Sequence, residues 1–333
     1  MSSLLRVASG IGHGSVPNLQ VLLGSGLSIA ELRAATPMEP DAQRVIDRTV
    51  VQVGLERLVV AADIMAAGLT FPLTDPLSVL EVQWQQESKS GGAQRTMDPR
   101  ARGENQLPDR RTKRIPVYLT TDDFNLGVRL LRASERVGAP LDTSGVATAT
   151  RRVNEGIEDA TINGAGLQVD GYTTPGLLTA PNANVITLTT TWNSVWSATL
   201  GESMRGDVMR AIAVLQGDKF YGPYGIYVGT NYGNALSADF KANGDRSILS
   251  RLREITAGGR ALDIKVADQM PDNTLLVFQM TSDVVDMITG MAPTNIAWKS
   301  PDGFTFYNLV MAIMIPRVKD NYDGGSGIVI GTP

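Results

Sequence analysis

Cysteine is missing from this sequence altogether. Disulfides, thiolate metal sites and thiol catalysis go with it. Histidine occurs once, as His13, inside the Gly/Ser-rich stretch "ASGIGHGSVPN". A catalytic triad would have to be built on that one ring, and a two-histidine metal site has no second ligand. His13 reads as an exposed residue of an N-terminal arm. No apolar run approaches the ~20 residues needed to span a bilayer. The longest, "LVMAIMI" at 309–315, has strand length and stops at Pro316. The N-terminus has one early Arg but lacks the continuous apolar core of a signal peptide, and it does not read as one. Charge of one sign is scarce as well. Lys and Arg number 30 against 34 Asp and Glu, a net charge of -4, without the basic excess typical of a free-standing DNA binder. The hydrophobic content of 43% in 333 residues is enough for a sizeable core and roughly two domains.

Residues 1–40 are short apolar patches broken by Gly, Ser and Pro. They form no periodic element and read as an arm that orders only against another surface. Residues 41–66 have helical spacing, weakened by Gly54 and β-branched residues. "SVLEVQW" (78–84) alternates as a strand does, and "IPVYLT" (115–120) is a second strand candidate. Between them lies "QQESKSGGAQRTMDPRARGENQLPDRRTKR" (85–114), nearly devoid of apolar residues. Two strands with a long polar tip make an extended hairpin that cannot bury itself, and loops of this length are usually functional or disordered. Nine of its charged residues are the candidate contact residues: Arg95, Arg100, Arg102, Glu104, Asp109, Arg110, Arg111, Lys113 and Arg114.

"DDFNLGVRLLRASERVG" (122–138) reads as a helix through Phe124, Val128 and Leu131, stopped by Gly138. The clearest helix spans 141–166. Asp142 or Thr143 caps it, Val146, Ala149, Val153, Ile157 and Ala160 form its apolar stripe, and Gly164 ends it. A second amphipathic helix at 201–217 turns Met204, Val208, Ala211, Ile212 and Leu215 inward. "FYGPYGIYVGTNYGNAL" (220–236) then reads as a turn at Gly222-Pro223, a strand, and a short helix capped by Asn231. Tyr221, Tyr224 and Tyr232 read as packing residues with a wet hydroxyl. Strand-rich segments follow to the C-terminus. The class is mixed α+β, without internal repeats.

Catalytic patterns are weak. The pairs Glu158/Asp159 and Asp122/Asp123 are candidates for acid/base or metal chemistry. Adjacent helical residues point apart, however, so Glu158/Asp159 reads as a helix-end or interface charge. "GTNYGNAL" lacks the Lys-Ser/Thr of a phosphate-binding loop, and "GIYVGTNYG" lacks G-x-G-x-x-G. The chain is not expected to be an enzyme.

Four segments, in order, resemble the tailed-bacteriophage major capsid protein family (the Hong Kong 97 fold) and its relatives, the bacterial encapsulins. They are the strand–polar loop–strand of 78–120, the run "IPVYLTTDDFNLGVRLLRASERVGAPLDTSGVATATRRVNEGIEDATINGAG", the "TTPGLLTA" after it, and "MRAIAVLQGDKFYGPYGIYVGTNYGNAL". The resemblance covers about 41–318. It implies an N-terminal arm (1–40), a peripheral domain with a long spine helix (41–77, 121–194 and 301–333), an extended loop (78–120) and an axial domain (195–300). It further implies a structural subunit that self-assembles, as hexamers and pentamers, into an icosahedral head enclosing double-stranded DNA. The alternative is an encapsulin-type shell around a cargo protein; the arm and the longer loop favour the phage case. The partners implied are other copies of the chain, then portal, scaffolding and cement proteins, with packaged DNA touched without sequence preference and no membrane. No cofactor, metal or catalytic residue is implied. The place implied is the virion, assembled in the bacterial cytoplasm. In a shell the arm and charged loop lie across neighbouring subunits, where Arg–carboxylate contacts give register. Some family members join subunits by a Lys–Asn isopeptide bond. Lys89 lies in the loop, but no Asn or Glu matches by motif, and no cross-link is expected.

Overall fold

The computed structural model describes residues 45–50, 58–88, 107–129, 132–133, 144–192, 199–241 and 246–333. The arm at 1–40 lies outside them.

Residues 45–50 are helical, and helix α1 spans Val60–Ala66. The single helix expected over 41–66 is therefore interrupted at Leu58 and Val59. The cause is tertiary. Glu158, 2% exposed, accepts hydrogen bonds from the backbone N–H groups of Val60 (2.7 Å) and Ala61 (3.1 Å). These are orphan donors of a helix start, and a carboxylate there satisfies them. Burial pushes the Glu158 carboxyl above the usual carboxylate range, against the opposing pull of those backbone donors.

The short strand β1 (Thr70–Pro72) follows, then the hairpin β2 (Glu81–Glu87) and β3 (Arg110–Pro116). Their antiparallel register runs from Glu81 opposite Pro116 to Glu87 opposite Arg110. The second strand thus starts at Arg110, inside the stretch read as loop, because β2 holds the polar residues in a ladder.

Strand β4 (Thr120–Gly127) replaces the first half of the helix expected at 122–138. Only 128–129 and 132–133 are helical among the described residues there. Phe124, Leu126 and Val128 pack together against Ile46, Val50, Val146 and Phe306. The operative spacing is two, and pairing with the neighbouring strand decides it.

Helix α2 (Ser144–Ile162) is the long helix, with Val146, Ala149, Val153, Ile157 and Ala160 all buried as expected. Burying each Val or Ile contributes roughly 1.5–3 kcal/mol. It sits close on β4: a Cβ at Gly145 would lie 3.3 Å from Phe124, and one at Gly156 3.2 Å from Thr120. Gly164, at φ +94, terminates it. A Cβ on Gly176 would lie 2.3 Å from the Gly164 nitrogen, so "PGLL" packs backbone to backbone on the helix end.

Strands β5 (Gln168–Val169) and β6 (Tyr172–Thr173) form a small hairpin, and β7 (Asn184–Thr187) follows. Helix α3 (Leu200–Gly217) buries the five expected residues. Strand β8 (Tyr224–Val228) is buried along its whole length. Helix α4 (Thr230–Leu236) starts from Gly229 with no side-chain cap, so Asn231 is inside it rather than capping it. Tyr221 alone of the three tyrosines is exposed. Tyr232 is fully buried, and the buried Tyr224 hydroxyl donates to the Phe220 carbonyl. Helix α5 (Ile248–Arg253), capped by Ser247, and strands β9 (Thr256–Ala257), β10 (Arg260–Ala261), β11 (Ile264–Val266) and β12 (Leu275–Gln279) follow. The chain closes with the long strands β13 (Val285–Lys299) and β14 (Thr305–Val318), then β15 (Ile328–Thr332).

Two sheets organise these elements. One has the order β1-β13-β14-β4, and α2 lies on it. The other has the order β11-β8-β12-β15-β7, with α3 against it. The two sheets draw strands from more than one of the expected segments. β7 and β15 join the five-stranded sheet although 121–194 and 301–333 were grouped elsewhere. β13 joins the four-stranded sheet although it falls within 195–300. The long-range parallel pair β7–β15 and the β13–β14 hairpin set membership, not chain order.

Candidate assembly surface

The β2–β3 hairpin stem stands on an apolar root. Val82 and Ile115, both buried, pack with Ile288, Met291, Ile296, Met311, Ile313 and Ile315 on one face of β13–β14. Alternation puts Arg110 and Arg114 on the opposite face, while Lys113 and Arg111 continue the Ile115 face beyond the root.

Beside the root lies a buried ion pair. Asp286 and Arg317 are direct cross-strand partners. The Arg317 guanidinium donates to both carboxylate oxygens of Asp286, at 2.7 and 2.5 Å, and each side chain is 7% exposed. Lys319 adds a third donor at 2.7 Å. Arg317 also stacks on Phe71 of β1 (4.5 Å to the ring centre) and on Trp84 of β2 (5.6 Å). A fork-shaped cation thus ties together strands from three parts of the chain.

Of the nine contact residues expected from sequence, Arg95, Arg100, Arg102 and Glu104 lie outside the described residues, as does Lys89. The other five have partners within their own chain. Arg110 pairs with Glu87 at 2.9 Å, and Arg114 with Glu81 at 3.6 Å. Arg114 also lies over the Tyr172 ring of β6. Lys113 sits 3.6 Å from Asp320. Arg111 lies 5.1 Å from the ring centre of Tyr322, whose hydroxyl donates to Asp109. That hydrogen bond, with the Arg110 backbone N–H, holds the Asp109 carboxyl below its usual range; the same bond raises the Tyr322 phenol.

Sequence reasoning missed the residues on the other side of these contacts. Two of them, Asp320 and Tyr322, sit in the turn 319–325, between β14 and β15. Asp320 accepts from Gln86 Nε2, at 2.5 Å to its side chain and 2.5 Å to its carbonyl, and from Asn182 Nδ2 at 3.0 Å. No spacing in "KDNYDGG" announces this role.

The candidate catalytic pairs do not converge. Glu158 anchors α1, while Asp159 accepts from Asn163 in its own helix. Asp122 faces Arg152 at 3.5 Å, and Asp123 is exposed. Among the described residues no group of three or more His, Asp or Glu is placed to hold a metal ion. No helix among them is long and apolar enough to cross a membrane.

Several outward apolar residues remain on this side of the molecule and beyond it. Leu107 is 87% exposed before β3, and Phe304 74% exposed at the turn joining β13 to β14.

Comparison with known proteins gives three findings. A model of a family described as a family of unknown function, DUF6260, matches residues 34–331. No curated protein matches the chain. Among solved structures, the virus-like particle from Pyrococcus furiosus is similar at 16% identity and TM-score 0.58, over 86% of this chain and 97% of that one. The capsid of Myoviridae phage XM1 is similar at 13% identity and TM-score 0.57, over 77% and 86%. The capsid of an empty GTA particle is similar at 14% identity and TM-score 0.55, over 82% and 90%. The architecture is the Hong Kong 97 capsid fold, as the sequence resemblance implied.

Proposed function

The chain belongs to the family of unknown function DUF6260, and from that footing and its capsid fold we propose that it is the major capsid protein of a tailed-phage-type particle. Copies assemble, as hexamers and pentamers, into an icosahedral head around double-stranded DNA. The observation that carries the reading is the shared fold, which spans 77–86% of this chain in the three capsid or particle structures. A hairpin standing off the body on a small apolar root supports it. Such a lever gains little for an isolated subunit and much for a lattice. The four-stranded sheet with α2 takes the peripheral role and the five-stranded sheet with α3 the axial one. The stem cations and the loop beyond them contact a neighbouring subunit, and DNA meets the inner wall weakly, without sequence preference. The work of the chain is structural, not enzymatic.

A shell around a protein cargo is the second reading, carried by the resemblance of the 115–166 run and the segments after it to encapsulins. Electron microscopy of the expressed protein tests both. Closed shells are expected; a chain that stays monomeric at every concentration refutes the proposal. Nuclease-protected DNA in native particles selects the head, and a packaged protein selects the compartment.

A further inference from the structure

The turn at 319–325 lies where three parts of the fold meet. It leaves the four-stranded sheet at the end of β14 and enters the five-stranded sheet at β15. It is closed on itself: Asn321 N–H donates to the Gly325 carbonyl at 2.8 Å, and Gly324 N–H to the Asn321 carbonyl at 3.0 Å. Its start is fixed by Lys319, whose backbone N–H donates to the Val284 carbonyl and whose ammonium reaches Asp286. Both ends and its own shape are therefore held by the body.

Against this fixed turn rests the hairpin stem, beyond its apolar root. Asp320, with 7% side-chain exposure, is the node. It takes Gln86 from β2, Lys113 from β3 and Asn182 from the approach to β7. One turn of chain further, Tyr322 engages Asp109 and Arg111 at the outer end of the stem. The stem thus has two supports of different chemistry. The root is apolar and non-directional. The second is a row of directional polar contacts, which specify an angle. Arg114 on Tyr172 provides a lateral rest.

We propose that residues 319–325 are a strap that fixes the angle of the β2–β3 hairpin in the free subunit, so that the hairpin meets a neighbouring copy already oriented. A lever free to swing on its root loses that freedom on docking, and the loss weakens association. A strapped lever has lost it beforehand. The consequence for assembly rests on the shell reading above; the effect on the hairpin angle does not.

The double variant Asp320→Asn/Tyr322→Phe tests this. Both changes keep side-chain volume, remove the charge that holds Lys113 and the hydroxyl that holds Asp109, and leave the root intact. Because the chain has no cysteine, Gln85→Cys on the stem and Ala213→Cys on α3 supply the only thiols for a pair of spin labels. Both positions are exposed. In full-length subunits kept below their assembly concentration, the parent should give one narrow label-to-label distance, and the double variant a broadened or split distribution. Its assembly should then need a higher subunit concentration. An unchanged distance distribution overturns the strap. So does a broadened distribution with assembly at lower concentration, which would make the turn a brake. If the parent forms no shells at all, the shell reading fails, and the distance measurement still decides the strap. Circular dichroism of the double variant should match the parent, and Tyr172→Ala, which removes only the lateral rest, should broaden the distance less.

Discussion

Replacing Asp286 by alanine should destabilise the subunit by about 3 kcal/mol. With Asp286 gone, Arg317 keeps its place between Phe71 and Trp84 at 7% exposure but has lost its counter-ion. Breaking a buried pair from one side costs roughly 3–5 kcal/mol, because it leaves an uncompensated charge out of water. Two local features trim that figure. The aromatic faces solvate the guanidinium by roughly 0.5–2 kcal/mol, and Lys319, at 19% side-chain exposure, can turn to solvent or stay on the Ser282 carbonyl. For a urea slope of about 3 kcal/mol/M, the midpoint should fall by about 1 M. Arg317→Lys keeps the charge but loses the fork and the stacking, and should lie between parent and Asp286→Ala. The deciding variant is the double, Asp286→Leu/Arg317→Met. An apolar pair of similar volume removes both charges, so it should cost less than either single change predicts by addition. The measurement is urea unfolding of free subunits, followed by both far-ultraviolet circular dichroism and tryptophan fluorescence so that a coincident transition can be checked. Strictly additive single and double variants, or an Asp286→Ala midpoint within error of the parent, would refute the claim that this pair is energetically coupled and buried.

Two glycine substitutions should have opposite signs. Gly176→Ala places a Cβ 2.3 Å from the Gly164 nitrogen and 2.6 Å from the Ile162 carbonyl; those are backbone atoms, so the cost should exceed the roughly 1–3 kcal/mol of ordinary overpacking, read as lost soluble yield or a lower melting temperature. Gly206→Ala meets nothing within 4 Å on helix α3 and should stabilise by roughly 0.5–1 kcal/mol in the same melt. Asp207→Asn should cost about 2–4 kcal/mol, since the buried carboxylate accepts from Thr189 N–H and hydroxyl, Trp192 Nε1 and Arg210, and an amide leaves at least one buried donor unpaired; a red-shifted Trp192 contribution to fluorescence should accompany it. The strap should also respond to acid. Asp109 has its pKa lowered from the ordinary 3.8 by Tyr322 and the Arg110 N–H, so its contribution is present above that ordinary value and lost as pH falls through the depressed folded one. The spin-label distance should therefore broaden on acidification through that window, and less so in an Asp109→Asn background, where the carboxylates of Asp320, Glu87 and Glu81 still hold the stem.

Helices α2 and α3 were legible because their cores are local. Each buries a stripe of its own residues, and the 3.6 period survives whatever packs on it. β4 was misread because Phe124 and Val128 are four apart while Phe124, Leu126 and Val128 are also two apart. Only β14, which pairs with Thr120–Gly127 in antiparallel register, chooses between those periods. The break between 45–50 and α1 has the same origin: Glu158 supplies the helix start from nearly a hundred residues away in sequence. The charged stem reads in sequence as a candidate contact surface, but its intrachain partners do not show there. Asp320, Tyr322, Gln86 and Asn182 are polar residues in turns and edges, and a polar contact across the fold leaves no periodic trace.

The same contrast explains how one subunit can be rigid and adjustable at once. In the five-stranded sheet β8 and β12 are buried on both faces along their full length. Close-packed interiors of that kind do not deform continuously. The hairpin stem has a small apolar root, Val82, Ile115 and Trp84, and holds its angle through polar contacts. Those contacts are partly exposed and yield to salt, whose screening length is roughly 3 Å at 1 M. Neighbour-to-neighbour variation in a closed shell would therefore be taken up at the stem, while the two sheets stay fixed. High salt should accordingly broaden the stem-to-α3 distance well before it shifts the urea midpoint. A midpoint that moves first would place the adjustable joint inside the core instead.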